Sequence, residues 1–543
     1  MKGRKIVGAA LAPCVHVAGL DHFLRACEDL GWEAVSLGPA VSIDRLVESV
    51  RREAPQIVAL SYRLTPDDLP PILQALETRA PSVPGVRWVF GGTGLAAEAA
   101  RRFRLFEKVF DGSEPEGALG QWLAGTAGAR ASRRWPKDLV SRIEASWPHP
   151  IVRHHYGEPS LVATLEGARR IAESGVLDVL SIGPDQNAQE HFFRPGEMDP
   201  AQDGAGGVPL RHRNDLTALY RATRCGNQPL VRCYAGTRDL VKWAQMSVET
   251  LHNAWGAIPL CWYSEMDGRS RVPLADAIRE KQSAIAWYAS RGVPVEVNES
   301  HQWSLRDAHD SLAVAMAFLA AYNAKAKGVR DYVLQMMHNT PPSTAPAMDL
   351  AKMLAKMELV GSLQEGGFRV WREVRAGITS LPRDPDEAKG HMAASTIFAM
   401  TLRPHILHVV GFTEAHGVTD PGSLIASCRI ARGAVRLALK GMPDPALDPR
   451  VQARKTRLVQ EAQDLLEGIR RLGDSAPDPW TDADTLARAV RLGVLDTPHF
   501  RGVPGLKGEV ITRCVDGGWD AIDPGTGASL SERERLARLG LES

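Results

Sequence analysis

Short apolar runs alternate with amphipathic stretches over the first part of the chain. Each run has the length of a buried strand, and each amphipathic stretch repeats its apolar residues at the spacing of a helix. Strands that alternate with helices in this way predict a parallel, doubly wound sheet. The pattern predicts strands at residues 6–11, 34–37, 57–60 and 86–90, and helices at residues 21–30, 42–53, 66–77 and 95–103.

The same alternation resumes on a longer scale between residues 150 and 430. Strand and helix patterns over roughly 280 residues are typical of a (β/α)8 TIM-type barrel, a fold of about 250 residues. Strands are predicted at residues 176–182, 230–234, 259–263, 293–297, 332–336 and 406–410, and helices at residues 161–173, 238–253, 274–290, 312–325, 346–357 and 391–400.

Two further segments flank the barrel pattern. The stretch Gly-Thr-Ala-Gly-Ala-Arg-Ala-Ser at residues 125–132, followed by Pro136, breaks the periodic pattern, so we predict a linker at residues 126–149. Residues 431–543 carry helical patterns, and Ser531 and Glu534 have the spacing of a capping box that would start the last helix. The predicted domains are an α/β doubly wound domain at residues 1–125, the linker, a barrel at residues 150–430 and a mostly helical C-terminal region at residues 431–543.

Composition narrows the class of protein without identifying it. The net charge of +1 favours neither nucleic acid nor an anionic membrane as a partner. No apolar run approaches the roughly 20 residues that a membrane span needs. The 7 cysteines are scattered without a Cys-x-x-Cys pair, which argues against a zinc site or a disulfide framework. A reducing, cytoplasmic location fits this cysteine usage best.

Candidate ligand-binding residues follow three of the predicted N-terminal strands. The segment Cys14-Val15-His16-Val17-Ala18-Gly19 comes after the first strand, Ser61 and Leu64 follow the third, and Gly91-Gly92 follows the fourth. Loops at the carboxyl ends of parallel strands meet at one edge of a doubly wound sheet, where ligands bind. The sequence therefore predicts a site that combines an imidazole, a hydroxyl and bare glycine backbone.

These residues resemble the flavodoxin-like cobalamin-binding domain of mutases and methionine synthase, whose pattern is Asp-x-His-x-x-Gly, then Ser-x-Leu, then Gly-Gly. The resemblance implies that His16 is the metal ligand and replaces the cofactor's own benzimidazole on cobalt, a role that suits neutral imidazole. It also implies a cofactor-binding set around the displaced nucleotide tail, made of Gly19, Ser61, Leu64, Gly91 and Gly92.

Two positions depart from that pattern. Cys14 stands where the family has an aspartate that holds the far nitrogen of the imidazole and raises its basicity, and a thiol does this poorly. Leu64 comes one residue late after Ser61, with Arg63 in the family's leucine position. We therefore expect Cys14 to weaken the bond between His16 and cobalt.

The middle of the chain resembles the catalytic subunit of glutamate mutase (methylaspartate mutase). The matching segments are residues 261–274, 277–282 and 292–299, with later echoes at residues 403–405 and 413–415. The resemblance implies an adenosylcobalamin-dependent isomerase that performs a radical rearrangement of a small amino acid or carboxylic acid. In glutamate mutase the cobalamin domain is a separate chain, whereas here it is fused at the N-terminus.

The same resemblance implies candidate catalytic residues. Arg279 stands at the position of a family arginine that grips a substrate carboxylate, because a guanidinium fork matches that group. Glu299 falls near the family's catalytic carboxylate, and His301 on the same loop is a second candidate for proton transfer. A surface arginine, a solvated carboxylate and a packed histidine are the alternative interpretations of these three residues.

Other departures keep further functions open. A second family arginine is replaced by Asp185-Gln186-Asn187, and Leu402 and Ile406 stand where the family contacts adenosyl ribose. Substitute anion contacts are expected from Arg153, Arg269 and Arg271. If Arg279 and the loop of Glu299 and His301 do not form the site, Asp185, Gln186 and His338 on other strand-end loops are the alternative site residues. The alternative functions are a corrinoid-dependent methyltransferase and a non-catalytic cobalamin sensor or carrier. Whichever holds, we expect a small-molecule substrate or ligand and a homodimer.

Overall fold

The computed structural model describes residues 4–114, 122–123, 135–234 and 236–541. The chain divides into two units, Met1–Arg134 and Trp135–Ser543. Residues 135–149, which the sequence assigned to a linker, belong to the second unit and contain the helix α5 (Leu139–Ser146). Arg142 of this helix donates to Gln228 O at 2.9 Å and is buried. The rest of the predicted linker lies outside the described residues.

The first unit is built around a five-stranded, fully parallel sheet. The strand order is β2-β1-β3-β4-β5, and apolar clusters cover both faces, which confirms the predicted doubly wound fold. A fifth strand follows the four that were predicted. The elements are β1 (Lys5–Ala10), α1 (Ala18–Asp29), β2 (Glu33–Ser36), α2 (Ile43–Glu53), β3 (Ile57–Tyr62), α3 (Leu69–Arg79), β4 (Arg87–Gly92), α4 (Gly94–Ala100) and β5 (Phe106–Phe110).

The central strand β3 shows why the sequence folds this way. All six of its residues are buried, because helices lie on both faces of a parallel sheet. On one face Ala59 packs with Leu20 and Leu24 of α1. On the other face Leu60 packs with residues of α2 and α3. Both layers leave the carboxyl edge of the sheet to the loops that follow β1, β3 and β4.

The second unit contains a nearly closed barrel of eight parallel strands. The hydrogen-bonded order runs β8-β7-β6-β13-β12-β11-β10-β9, so sequential strands are neighbours. Between the two ends of this order, Ala254 N donates to Val231 O at 2.9 Å. The strands are β6 (Ile151–Tyr156), β7 (Val179–Ile182), β8 (Leu230–Cys233), β9 (Gly256–Ile258), β10 (Val295–Val297), β11 (Asp331–His338), β12 (Arg369–Ala376) and β13 (Ile406–His408).

Helices follow the barrel strands as the alternating pattern predicted. They are α6 (Leu161–Ser174), α7 (Gln186–His191), α8 (Arg213–Ala222), α9 (Leu240–Leu251), α10 (Leu274–Ser290), α11 (Ser300–Ser304), α12 (Asp310–Ala326), α13 (Pro346–Gly361), α14 (Pro385–Met400) and α15 (Pro421–Ala438).

One predicted barrel strand is wrong, and two strands of the barrel were not predicted. The strand predicted at residues 259–263 is wrong, because β9 ends at Ile258 and the apolar residues after it lie in a buried loop. Strands β6 and β12 were not predicted. Both interrupt their apolar residues with charged or histidine side chains, such as Arg153 in β6 and Glu373 in β12.

The C-terminal region combines helices with a small sheet that the sequence did not predict. Its elements are α16 (Pro449–Leu472), α17 (Ala483–Arg491), β14 (Thr512–Val515), β15 (Gly518–Ile522), β16 (Ser529–Leu530) and α18 (Glu532–Arg538). The capping box at Ser531 and Glu534 is confirmed. Arg454 of α16 donates to Asp310 at 2.8 Å and to Asp520 at 2.7 Å, which ties this region to α12. No helix in the described part of the chain combines the length and apolarity of a membrane span.

Candidate functional site

A cavity of about 770 Å³ opens at the carboxyl edge of the five-stranded sheet. The loops after β1, β3 and β4 surround it, as the strand order requires. His16, Gly19 and Ser61 line it together with Gly91-Gly92. The structure therefore brings together the imidazole, the hydroxyl and the glycine backbone that the sequence placed at this edge.

His16 is exposed in the cavity and has Cys14 behind it. The Nδ1 atom of His16 lies 3.8 Å from Sγ of Cys14, a fully buried residue that does not line the cavity. Arg63 N donates to the same Sγ at 3.3 Å, so the thiol is fixed by its neighbours. Nδ1 faces the protein, and Nε2 is the other ring nitrogen that can act as a ligand.

The cavity wall is shaped by glycines and by the end of β3. A Cβ on Gly19 would meet no atom within 4 Å, and one on Gly91 would come no closer than 4.0 Å to Leu60 O. Gly92 differs, because a Cβ there would come within 2.9 Å of the Phe90 ring. Ser61 Oγ donates to His16 O at 3.5 Å, which links the histidine loop to β3. A bulky group can therefore approach bare backbone at Gly19 and Gly91.

Leu64 does not take the role that the sequence pattern suggested. It packs against the apolar cluster under α3, while Arg63 lines the cavity instead. The one-residue shift after Ser61 explains the exchange, because the chain has already left β3 at Tyr62.

A second cavity, of about 260 Å³, lies at the carboxyl end of the barrel. Its base is formed by charged side chains from alternate strands, at positions where most such barrels carry Val, Ile or Leu. Arg153 of β6 is in ion-pair contact with Glu373 of β12 and lies 3.8 Å from Glu296 of β10. Arg232 of β8 contacts Glu296 at 3.0 Å. These four buried groups balance one another in charge.

The four charged residues of the base form a first ring around the barrel interior. A second ring of side chains lies two residues further along each of the same four chain segments. Successive side chains of a strand point to opposite faces, so residues two apart share the barrel interior. The second ring consists of His155, Tyr234, Asn298 and Arg375, all of which line the cavity. The carboxyl half of the barrel is therefore polar across its width.

His155 is held in one tautomer. Arg153 Nη2 lies 2.8 Å from Nε2 of His155, and a guanidinium can only donate, so this nitrogen accepts. Burial and the nearby arginine lower the pKa of His155 well below its usual range. The neutral ring therefore carries its proton on Nδ1. Its face stacks on His408, with ring centroids 4.8 Å apart.

Several buried polar atoms around the cavity have no hydrogen-bond partner among the described residues. A buried polar group without a partner is costly, so such atoms mark a place where a polar ligand fits. The residues that carry them are 0–7 % exposed. The atoms are Nε and Nη1 of Arg232, Oε1 of Glu296, Oδ1 of Asn298, Nδ1 of His301 and Oε1 of Gln335.

Arg279 is corrected by the structure. It lies on the outer face of α10, where its guanidinium contacts Asp276 at 2.8 Å and is also paired with Asp484 of the C-terminal region. Its side chain is 48 % exposed and does not line the cavity. The inward positions of α10 are Ile278 and Lys281, both fully buried.

We therefore expect Arg279→Lys to leave substrate affinity and turnover unchanged, because the group is an exposed helix arginine. Steady-state kinetics of the variant would check this. A large rise in KM would restore the original interpretation.

The two other catalytic candidates differ in position, because only one of them lines the cavity. His301 lines the cavity, and burial lowers its pKa well below the usual value, so it is a neutral ring. Glu299 does not line the cavity. Its oxygens accept from Leu260 N at 2.6 Å, Cys261 N at 3.0 Å and Trp303 Nε1 at 2.9 Å, and burial raises its pKa. Glu299 is corrected to a residue that positions the loop after β9.

Of the other candidate site residues from the sequence, some line the barrel cavity and some do not. Arg153, Arg269 and Gln186 line the cavity, whereas Arg271 does not. Asp185 is a buried N-cap of α7 paired with Arg211, and His338 borders a separate small cavity. The sequence analysis did not single out Arg232, Arg375, His155 or Asn298. They could have been recognised in the sequence as polar or charged residues that are spaced two positions apart along or just after a barrel strand.

Comparison with protein families identifies the first unit. The family described as "B12 binding domain" matches residues 4–118. The match covers most of the N-terminal unit and supports cobalamin binding there, and His16, Ser61 and Gly91-Gly92 of the cavity lie within the matched range. No curated protein matches the chain.

Two solved structures align with parts of the chain. A novel cobalamin-binding protein from Desulfitobacterium hafniense DCB-2 aligns over 23% of this chain at 21% identity and a TM-score of 0.20. The chain spans 59% of the length of that protein. A 2,3-dimethylmalate lyase, a member of the PEP mutase/isocitrate lyase superfamily, aligns over 61% of this chain and 99% of its own at 14% identity and a TM-score of 0.28.

Proposed function

We propose that this protein is a cobalamin-dependent isomerase that rearranges a small amino acid or carboxylic acid in the barrel cavity. The observation that carries the proposal is the polar, arginine-rich cavity at the carboxyl end of a barrel, in a chain that also carries a B12-binding domain. Adenosylcobalamin is the proposed form, and it supplies radical chemistry to a bound substrate.

The residues of the first unit fit cobalamin. His16 offers Nε2 to the metal, because Nδ1 is turned toward Cys14. The cavity of about 770 Å³ has room at Gly19 and Gly91 for the nucleotide tail. Ser61 stands beside the histidine loop with a hydroxyl that can hydrogen-bond the tail. Metal coordination by His16 and tail binding by these residues are parts of the proposal.

The barrel residues bind and orient the substrate and exclude water from it. Arg232 and Arg375 supply donors for a carboxylate, and the neutral His155 supplies an N–H at Nδ1. His301 can hold or move a proton at its unpartnered Nδ1. The base of buried ion pairs fixes the arginines before substrate enters, which is the preorganisation that catalysis requires.

The proposed function is tested by incubating the full chain, without oxygen, with a cobalamin and a panel of small amino and carboxylic acids. We expect isomerised product, detected by nuclear magnetic resonance, with adenosylcobalamin and not with methylcobalamin. Methyl transfer from methylcobalamin to an acceptor would instead favour a methyltransferase. Tight cobalamin binding with no turnover of any acid would favour a carrier or sensor.

Cys14→Asp is expected to tighten cobalamin binding. A carboxylate at this position would accept from both Arg63 N and His16 Nδ1, which now share one thiol sulfur. Such partners are worth roughly 10–100-fold in metal affinity. Titration followed by the visible spectrum of cobalamin would measure the change, with Cys14→Ser as the neutral control. Unchanged or weaker binding by the aspartate variant would show that His16 does not depend on this neighbour.

A further inference from the structure

Among the described charged residues of the barrel interior, one has no partner of opposite charge. Arg153 and Arg232 are balanced by Glu373 and Glu296 at its base. Arg269, at the mouth, lies 4.0 Å from Asp267. Within the described residues, the guanidinium of Arg375 has no carboxylate in ion-pair contact, and its Nε donates only to its own neighbour, Ala376 O, at 3.3 Å.

Arg375 is partly buried in the cavity wall. Burial lowers its pKa, and the nearest carboxylates, Glu414 and Glu373, act on it only at longer range. A partly desolvated guanidinium without a carboxylate partner is complementary to an anion with two oxygens. The unpartnered Nε and Nη1 of Arg232 line the same cavity, so one carboxylate held by Arg375 has further donors near it.

Three acceptors to which no described residue donates line the same cavity as Arg375, on the β10 segment and on β11, the strand between β10 and β12. Oε1 of Glu296 and Oδ1 of Asn298, both on the β10 segment, have no donor among the described residues. Oε1 of Gln335, on the adjacent strand β11, also has no donor among the described residues. Three acceptors, one of them charged, are complementary to a group that donates hydrogen bonds.

We propose that the substrate is a small monocarboxylic acid whose carboxylate pairs with Arg375 and whose amino or hydroxyl group donates to Glu296 and Asn298. This inference rests on the proposed function, of which it specifies the substrate class. Inside the barrel, a second carboxylate on the substrate would meet Glu296 or Glu373, or an arginine already paired with one of them, and Arg269 lies outside this region at the exposed mouth. Dicarboxylates are therefore excluded by charge and not by size.

Binding is measured by calorimetry on the full chain without turnover, so its outcome does not depend on whether the chain is an isomerase. The probes are 2-aminobutyrate, 2-hydroxybutyrate, butyrate and glutamate. We expect 2-aminobutyrate or 2-hydroxybutyrate to bind at least about 10-fold more tightly than butyrate or glutamate, as one charge-assisted hydrogen bond is worth. The better of the two identifies the donor group.

Two variants locate the carboxylate. Arg375→Lys keeps the charge and loses the fork, so we expect affinity to fall about 10- to 100-fold. Arg372→Lys is the matched control, because Arg372 lies on the same strand, donates to Leu402 O and Arg403 O, and does not line the cavity. Glutamate binding as tightly as the monocarboxylates, no binding by either substituted butyrate, or equal affinity in the two variants would each overturn the proposal.

Discussion

His16→Ala is expected to remove the protein ligand from cobalt and to weaken cobalamin binding by more than the roughly 10–100-fold that loss of a supporting partner alone costs. The imidazole is exposed in the cavity with Nδ1 turned to Cys14, which leaves Nε2 for the metal. Visible spectroscopy of the titrated full chain would give the affinity. Electron paramagnetic resonance of the reduced complex would show whether a protein nitrogen is bound.

A matched control lies in the same cavity. His22 of α1 also lines it, so His22→Ala removes an imidazole from the cavity without touching the segment that ends at Gly19. We expect the control to retain the resonance pattern of one protein nitrogen, which should change when the protein histidines carry the heavier nitrogen isotope. A pattern that responds only to labelled benzimidazole would show that His16 is not the ligand.

The cofactor domain could be predicted almost completely from the sequence, because its signals are local. Strands β1, β3 and β4 are mostly apolar runs, and the candidate ligand-binding residues lie at or after their carboxyl ends, with Ser61 and Gly91 in the last two residues of their strands and His16 in a loop. Leu64 was misassigned, since the residue count after Ser61 fixes which side chain turns to the cavity and the pattern is one residue longer here.

The barrel site was harder to predict because its residues lie within strands. In β6 and β12 the inward positions are Arg153, His155, Glu373 and Arg375, so the apolar signal of a buried strand is lost where the site is. A polar barrel interior looks like an exposed surface to any pattern that equates polarity with solvent. The two strands that the hydrophobic pattern missed are among those that carry the cavity.

The prediction for Arg279 disagrees with the structure for a different reason. The resemblance placed an arginine near the right point of the chain, but a helix changes face every few residues, and the side that meets the barrel is set by packing. Lys281, two residues later, is the buried cation of α10 and donates to Trp262 O at 2.5 Å. The anion contact that we propose is Arg375, far away in sequence, which only the closure of the barrel brings into the cavity.

Glu373→Leu is expected to lower the free energy of unfolding of the barrel by about 3–5 kcal/mol, the usual effect of breaking a buried ion pair. Glu373 is fully buried, is paired with Arg153, and accepts from Gln335 Nε2 at 3.1 Å. Without it, Arg153 is a buried charge whose remaining carboxylate, Glu296, is 3.8 Å away and shared with Arg232. Urea unfolding followed by circular dichroism would measure the loss.

The double variant Arg153→Met with Glu373→Leu separates an unpaired charge from lost packing. An apolar pair of similar volume needs no hydration, so we expect the double variant to recover most of the stability lost by Glu373→Leu. Glu173→Gln, at the exposed Arg169–Glu173 pair of α6, is the control and should change the free energy of unfolding by less than about 0.5 kcal/mol. If the double variant is as unstable as Glu373→Leu, the unpaired charge of Arg153 is not the cause of the instability. The lost packing of the Glu373 side chain would then be the cause.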